Sequence, residues 1–214
     1  MKRILCYGDS NTWGFDAQNA CRFDEHTRWP GVMQDLLGQD YRVWEAGLCG
    51  RTTAFEDPTM PIRDGSAYFE MVLQTCEPVD CIIFALGTND TKDMFNASSL
   101  VITYGMERLL RECRRLLSEK PQKTKIILAC PVIPVADDNG VFWYDMSAQS
   151  TQKGEQLRWR YQELAQQSGC TFIDLNEIVE PCGTDGVHLD SAGHKVVGMA
   201  MADLVRNLLD QEKE

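Results

Sequence analysis

No apolar run approaches the roughly eighteen residues of a membrane span, so no spanning helix is expected. Positive charge is in short supply: 21 Lys and Arg stand against 32 Asp and Glu, a formal net charge of -11. That balance repels nucleic acid and anionic membrane surfaces and leaves small, neutral or weakly charged substrates as the expected partners. No two cysteines have the CxxC spacing of a structural zinc site. The nine cysteines are odd in number and scattered, and Cys6, Cys81 and Cys130 lie within apolar runs, as small buried hydrophobes do in a reducing compartment. A secretory leader is not expected either. Met1-Lys2-Arg3 resembles an n-region, but the apolar stretch behind it is about five residues long where an h-region needs roughly seven to fifteen. Cleavage there would also remove the strand leading to Ser10. The expected location is cytoplasmic. With no internal repeat, low-complexity tract or linker, the 214 residues read as a single domain, 1–214, long enough to bury a sizeable core.

What is present is an alternation of short buried strands with amphipathic helices. Arg3 to Tyr7, Tyr41 to Ala46, Asp80 to Leu86, Lys125 to Cys130 and Thr171 to Leu175 read as strands. Asp80 to Leu86 is an almost continuous apolar run, as expected of a parallel strand covered on both faces. Between them, Trp29 to Leu37 (with Pro30 near the first turn), Ala67 to Cys76, Leu100 to Leu117 and Gln152 to Gln167 have helical spacing. A last helix follows Asp190 or Ser191 as its N-cap. Residues 15–30 are polar and irregular. The pattern predicts an α/β fold with five parallel strands and helices on both faces.

The chain turns on Tyr7-Gly8-Asp9-Ser10-Asn11-Thr12-Trp13-Gly14. Ser10 falls where a strand gives way to a helix, at the carboxyl end where open α/β sheets bind ligands. There it is either a nucleophile or a helix cap. Gly50 and Asn89 follow two other strands, and Asp185 and His188 arrive from the last loop. A serine nucleophile needs a base, an acid to orient it and donors for an oxyanion, and these occur in the chain order Ser, Asp, His. For the base only His26 and His194 compete with His188, and His194 falls four residues into the last helix. Asp185 can reach the imidazole from three residues away or serve only its turn; Asp190 is better placed as a cap. Asn89 can equally close its turn through an Asx bond, and Gly50 can equally be there for a positive φ. Arg51 is a candidate for an acidic substrate or for pairing with the many nearby acids. Trp13, Phe55 and Trp143 are candidates for substrate wall and for core.

Together Gly8-Asp9-Ser10, Gly47-x-x-Gly50-x-Thr52-Thr53, Gly87-Thr88-Asn89-Asp90 and Asp185-x-x-His188 resemble the four motif blocks of the SGNH (GDSL-type) hydrolases, in order and over nearly the whole chain. Gly-Asp-Ser-x-Thr-Trp-Gly with Gly-Arg-Thr-Thr is similar to that family's arylesterase and acyltransferase branch. The resemblance implies a three-layer αβα sandwich of flavodoxin-like type. It makes Ser10 the nucleophile, His188 the base and Asp185 its partner. It also makes the N–H groups of Ser10 and Gly50 and the amide of Asn89 the oxyanion donors. Asn11 departs from the family's Leu, at a position that points away from the chemistry there. The expected activity is a serine esterase acting on short acyl, aryl, thioester or sugar O-acetyl esters, with no cofactor and no metal. A different reading is a non-catalytic flavin or phosphate module in which Ser10, Thr12 and loop amides cradle phosphate; it leaves Asp185 and His188 idle. A metal site built on Asp and His has fewer than the usual three ligands. Finally, Pro131 to Ser150 is long for a connection and carries Val141, Phe142, Trp143, Tyr144 and Met146. It is expected to fold over the site or to dock on a second copy in a homo-oligomer.

Overall fold

In the central strands, successive side chains leave on opposite faces of the sheet and both faces are apolar. Leu5 and Tyr7 of β1 (Lys2–Gly8) join one core cluster and Ile4 and Cys6 the other. Ile82 and Phe84 against Cys81 and Ile83 do the same in β5 (Cys81–Ala85), as do Leu128 and Cys130 against Ile127 and Ala129 in β6 (Lys125–Cys130). The computed structural model describes residues 1–118, 120, 121 and 123–210. With β4 (Tyr41–Gly47) and β7 (Thr171–Asp174), these strands form one five-stranded parallel sheet in the order β4-β1-β5-β6-β7.

Two layers of helix cover it. On one face lie α3 (Gly65–Cys76), α4 (Ser99–Leu117) and α5 (Ala148–Gln167), which bury Phe69, Leu109 and Tyr161 among others. On the other, α2 (Trp29–Leu37) and α6 (Ser191–Asp210) bury Met33, Met201 and Val205. Caps fix where several of these helices begin: the Asp64 side chain accepts from the N–H groups of Ser66 and Ala67, and Asp190 Oδ1 accepts from Gly193 N–H at 2.7 Å. Asp190 is thus the cap of the last helix. The expected αβα architecture and all five strands are present.

Three local features differ from the sequence reading. Residues 15–30 hold a small hairpin, β2 (Phe15–Asp16) with β3 (Cys21–Arg22), too short to leave an alternating pattern. α5 starts at Ala148 rather than Gln152 because Ser147 and Ser150 form a capping box, and the polar first turn carries no apolar period to announce it. The segment between β6 and α5 contains no helix or strand, yet it is tied down. Val135 N–H donates to Gly186 O, Asp138 N–H to Gly183 O and Asp93 N–H to Asp145 O.

The chain passes from β1 to β4 on one side and from β4 back across β1 to β5 on the other, so the direction of winding reverses at β1. Ligands of open α/β sheets bind at such a point, outside the carboxyl ends of the strands. There a four-residue helix, α1 (Ser10–Trp13), lies against the end of β4. The approach is close because Gly47 has no side chain: a Cβ there would stand 2.1 Å from the Trp13 backbone nitrogen. Gly47→Ala should therefore destabilise the fold by about 1–3 kcal/mol, read in thermal unfolding as a Tm lower by roughly 2–4 °C per kcal/mol. An unchanged Tm would mean that α1 is free to move off β4.

Candidate active site

Gly8, Asp9 and Ser10 form the turn from β1 into α1. Asp9, not Ser10, is the N-cap: its carboxylate accepts from Asn11 N–H at 3.0 Å. Ser10 is the first residue of the helix, and Gly14 at φ +86° ends it after one turn. The start of a helix leaves N–H groups without intrahelical partners, and among the described residues the Ser10 N–H has no hydrogen-bond acceptor. The Ser10 hydroxyl is 2.9 Å from His188 Nε2.

His188 is carried by the loop before α6. Its Nδ1 lies 2.6 Å from Asp185 Oδ2, and the other carboxylate oxygen accepts from the N–H groups of Val187 and His188, both at 3.0 Å. Tyr144 adds a fourth donor, its hydroxyl 3.1 Å from Asp185 Oδ2 and its ring edge-on to His188. Burial acts to raise the Asp185 carboxyl, but the hydrogen bond and charge of the His188 imidazole, with the N–H groups of His188 and Val187, outweigh it and hold the group down to about 2. Asp185 is therefore ionised throughout the neutral range. The other two histidines lie elsewhere. His26 is on the surface against Asp35, while His194 is buried in α6, accepts from Trp29 N–H and is pushed down by burial to about 4.

Asn11 has a use that the sequence did not suggest. Its side chain donates to Val187 O at 3.2 Å and accepts from Leu189 N–H at 2.9 Å, one residue on either side of His188. It ties the serine turn to the histidine loop.

The remaining groups come from the ends of β4 and β5. Gly50 has φ +82°, and a Cβ there would meet Met60 Cε at 2.3 Å. Its N–H has no acceptor among the described residues. Asn89 donates from Nδ2 to Arg51 O at 3.1 Å, which fixes the amide plane and leaves it a second N–H. Among the described residues Arg51 pairs with no carboxylate; it is buried, donates to Gly8 O and Ala46 O, and stacks on Tyr7 at 4.1 Å. It braces the two strand ends and is not among the residues that line the cavity beside Ser10. Asp90, beside Asn89, is fully buried and accepts from the N–H and hydroxyl of Thr53.

Ser10, His188, Gly50 and Asn89 line one cavity of about 210 Å³. Its remaining wall is mostly apolar: Phe15, Met60, Met146, Val187 and the Tyr144 ring, with Cys49 beside Gly50. Lys92 is its cation. The aromatic residues singled out from the sequence lie outside this wall. Trp13 holds the Arg22 guanidinium over its ring, Phe55 packs on Phe95, and Trp143 is 45% exposed with its indole N–H on Asp137. Phe15, Met60 and Lys92 belong to no motif block, so composition and spacing offered no signal for them, whereas Tyr144 and Met146 come from the apolar segment 131–150 that was expected to fold over the site or to dock on a second copy. Among the described residues, no group of three or more His, Cys, Asp or Glu could hold a metal ion.

The floor of the site stores two unusual acids. Burial raises Asp90 to about 7 and Asp9 to about 6, each against hydrogen bonds that act the other way. For Asp90 the folded state binds its proton more tightly than the unfolded chain. Its contribution to stability is therefore present at low pH and lost as pH rises from about 4 through about 7. Asp90→Asn should gain on the parent across that window by an amount of order 1.4 kcal/mol per pH unit, measured by urea unfolding at a series of pH values. A difference that is flat with pH would mean that Asp90 is ionised in the fold.

No curated protein matches the chain in sequence. Solved structures do. The native aryl esterase of M. smegmatis is 35% identical with TM-score 0.90, covering 98% of this chain and all of its own. A carbohydrate acetylesterase family member from Sinorhizobium meliloti is 36% identical with TM-score 0.90 over the same shares. A second carbohydrate acetylesterase from Sinorhizobium meliloti is 30% identical with TM-score 0.88, again covering 98% and 100%. The sequence pattern of the GDSL-like lipase/acylhydrolase family matches residues 6–196, a stretch that runs from β1 through the Ser10 turn and the Asp185/His188 loop into α6. On that match and those structures, the chain belongs to the GDSL-like lipase/acylhydrolase family and is a carboxylic ester hydrolase.

Proposed function

We propose that the chain hydrolyses short-chain carboxylic esters, acetyl or aryl esters among them, through a Ser10–His188–Asp185 triad and an acyl-enzyme. The observation that carries this reading is the continuous pair of contacts from Ser10 Oγ to His188 Nε2 (2.9 Å) and from His188 Nδ1 to Asp185 (2.6 Å), opening on the cavity. Neutral His188 takes the hydroxyl proton as Ser10 Oγ attacks the ester carbonyl. Ionised Asp185 holds the ring in the tautomer that leaves Nε2 free to accept, and stabilises the imidazolium that forms. The carbonyl oxygen, now negative, is met by the free N–H groups of Ser10 and Gly50 and the second N–H of Asn89. His188 returns the proton to the departing alcohol. Water then repeats the sequence on the acyl-enzyme. A cavity of about 210 Å³ with apolar walls suits an acetyl or similarly short group better than a fatty chain.

The partner in this reading is a small ester, in keeping with a net charge of -11. A cytoplasmic location stays within the proposal, supported by nine free cysteines, most of them at least half-buried.

Ser10→Ala should abolish hydrolysis of p-nitrophenyl acetate while leaving the unfolding curve in place, and a serine-directed phosphonate should label Ser10 in the parent. Labelling at another residue, or an active Ser10→Ala protein, removes the triad. Asn89→Ala separates an oxyanion donor from a turn former. As a donor it should lower kcat by about a hundred- to a thousand-fold with KM little changed. A large fall in Tm with near-normal kcat would assign Asn89 to the turn alone.

A further inference from the structure

Lys92 is the feature of the cavity that the ester mechanism does not use. It follows the turn that carries Asn89, is 8% exposed, and lines the same cavity as Ser10 and His188. An ammonium has three donors, and among the described residues none of them has a hydrogen-bond acceptor. The opposite charge beside it is Asp57, with Oδ2 at 3.8 Å, which is beyond hydrogen-bond distance. Asp57 is spoken for on its other oxygen, which accepts from Thr59 N–H, the Thr59 hydroxyl and Met60 N–H; Oδ2 is itself buried without a hydrogen bond. Unlike Asp57 Oδ2, the ammonium is not fully enclosed; it opens on a cavity whose wall is otherwise mostly apolar, with Phe15, Met60 and Met146 in it, so its unused donors are available to a bound molecule.

We infer that Lys92 is a specificity-determining residue that donates a hydrogen bond to a neutral oxygen of the substrate close to the ester bond. The substrate class is then esters bearing a hydroxyl or ether oxygen in addition to the ester group, such as acylated polyols, in preference to purely hydrocarbon esters. The acceptor is neutral rather than anionic for two reasons. Asp57 already offsets the ammonium charge at 3.8 Å, and Asp185, held ionised beside the cavity-lining His188, adds to the field of a chain of net charge -11, a field that opposes a carboxylate ligand. The inference rests on the esterase reading above and adds to it the group that selects the substrate.

The test uses ester pairs that differ only by an ether oxygen in place of a methylene: 2-methoxyethyl acetate against butyl acetate for the alcohol side, and methyl methoxyacetate against methyl butanoate for the acyl side. The ratio of kcat/KM within each pair is measured for the parent and for Lys92→Met, so that intrinsic reactivity cancels between proteins. In one of the two pairs the ratio should fall by roughly tenfold in Lys92→Met, and Lys92→Gln, which keeps a donor, should retain part of it. If Lys92→Met does not fold, Lys92→Met combined with Asp57→Asn, which leaves no unpaired carboxylate, is measured in its place. Ratios that match the parent in both pairs overturn the inference while leaving the esterase reading intact. A Lys92-dependent preference for anionic 4-acetoxybutanoate over 2-methoxyethyl acetate overturns the neutral acceptor. Failure of the parent to hydrolyse any of these esters overturns both readings.

Discussion

Parallel pairing of β1 with β4 on one side and β5 on the other sets the level of everything at the top of the sheet. In that register Gly8 stands opposite both Gly47 and Ala85, so the loops that carry Ser10, Gly50 and Asn89 leave the sheet at one height. A slip of one residue would turn each side chain to the other face, and both faces are packed against helices. The buried faces thus hold the register, and the register holds the site. Glycine is required where backbones then crowd: a Cβ on Gly8 would stand 2.9 Å from Ala85 O, and one on Gly47 would run into α1. Arg51 closes the same junction by donating to Gly8 O and Ala46 O.

Three aspartates within this small volume show how partners decide the behaviour of one side chain. Against burial, Asp185 is held down to about 2 by the hydrogen bond and charge of the His188 imidazole and by the N–H groups of His188 and Val187. Asp9 and Asp90, with fewer donors and complete burial, are raised to about 6 and about 7. The acid that faces the histidine keeps its charge, which is what an imidazolium partner needs, whereas the acids that shape the turns are drawn towards neutrality. Burial enters all three; the number and kind of hydrogen-bond donors separates them.

The long connection between β6 and α5 illustrates order without regular structure. Its backbone is tied to the histidine loop at Gly183 and Gly186 and to the Asn89 loop at Asp93. Tyr144 and Asp145 both take positive φ, at 58° and 62°, an arrangement that costs energy for residues with a side chain and persists where the surroundings enforce it. Here Asp145 accepts from Asp93 and Met94 N–H, and the turn delivers the Tyr144 hydroxyl to Asp185 and Met146 to the cavity. Val141 and Trp143 remain on the outer surface.

Order and pattern along the chain were enough for the layers and for the candidate site residues. Apolar runs of strand length alternating with amphipathic stretches admit few arrangements other than a covered parallel sheet. Ser10, Asp185 and His188 were legible because each sits in a short block with a fixed order along the chain. Local hydrogen bonding was legible in the same way, as in the cap at Asp190, because it depends on neighbours in sequence. Tertiary structure decided what depends on residues far apart. Asn11 bridges 176 and 178 residues to Val187 and Leu189, and Tyr144 reaches 41 residues to Asp185. The cavity wall likewise draws on five separate loops, so Phe15, Met60 and Lys92 line it while Trp13, Phe55 and Trp143 pack elsewhere. Side-chain type marks a residue as able to bind or to pack, but only the path of the chain decides which surface it meets.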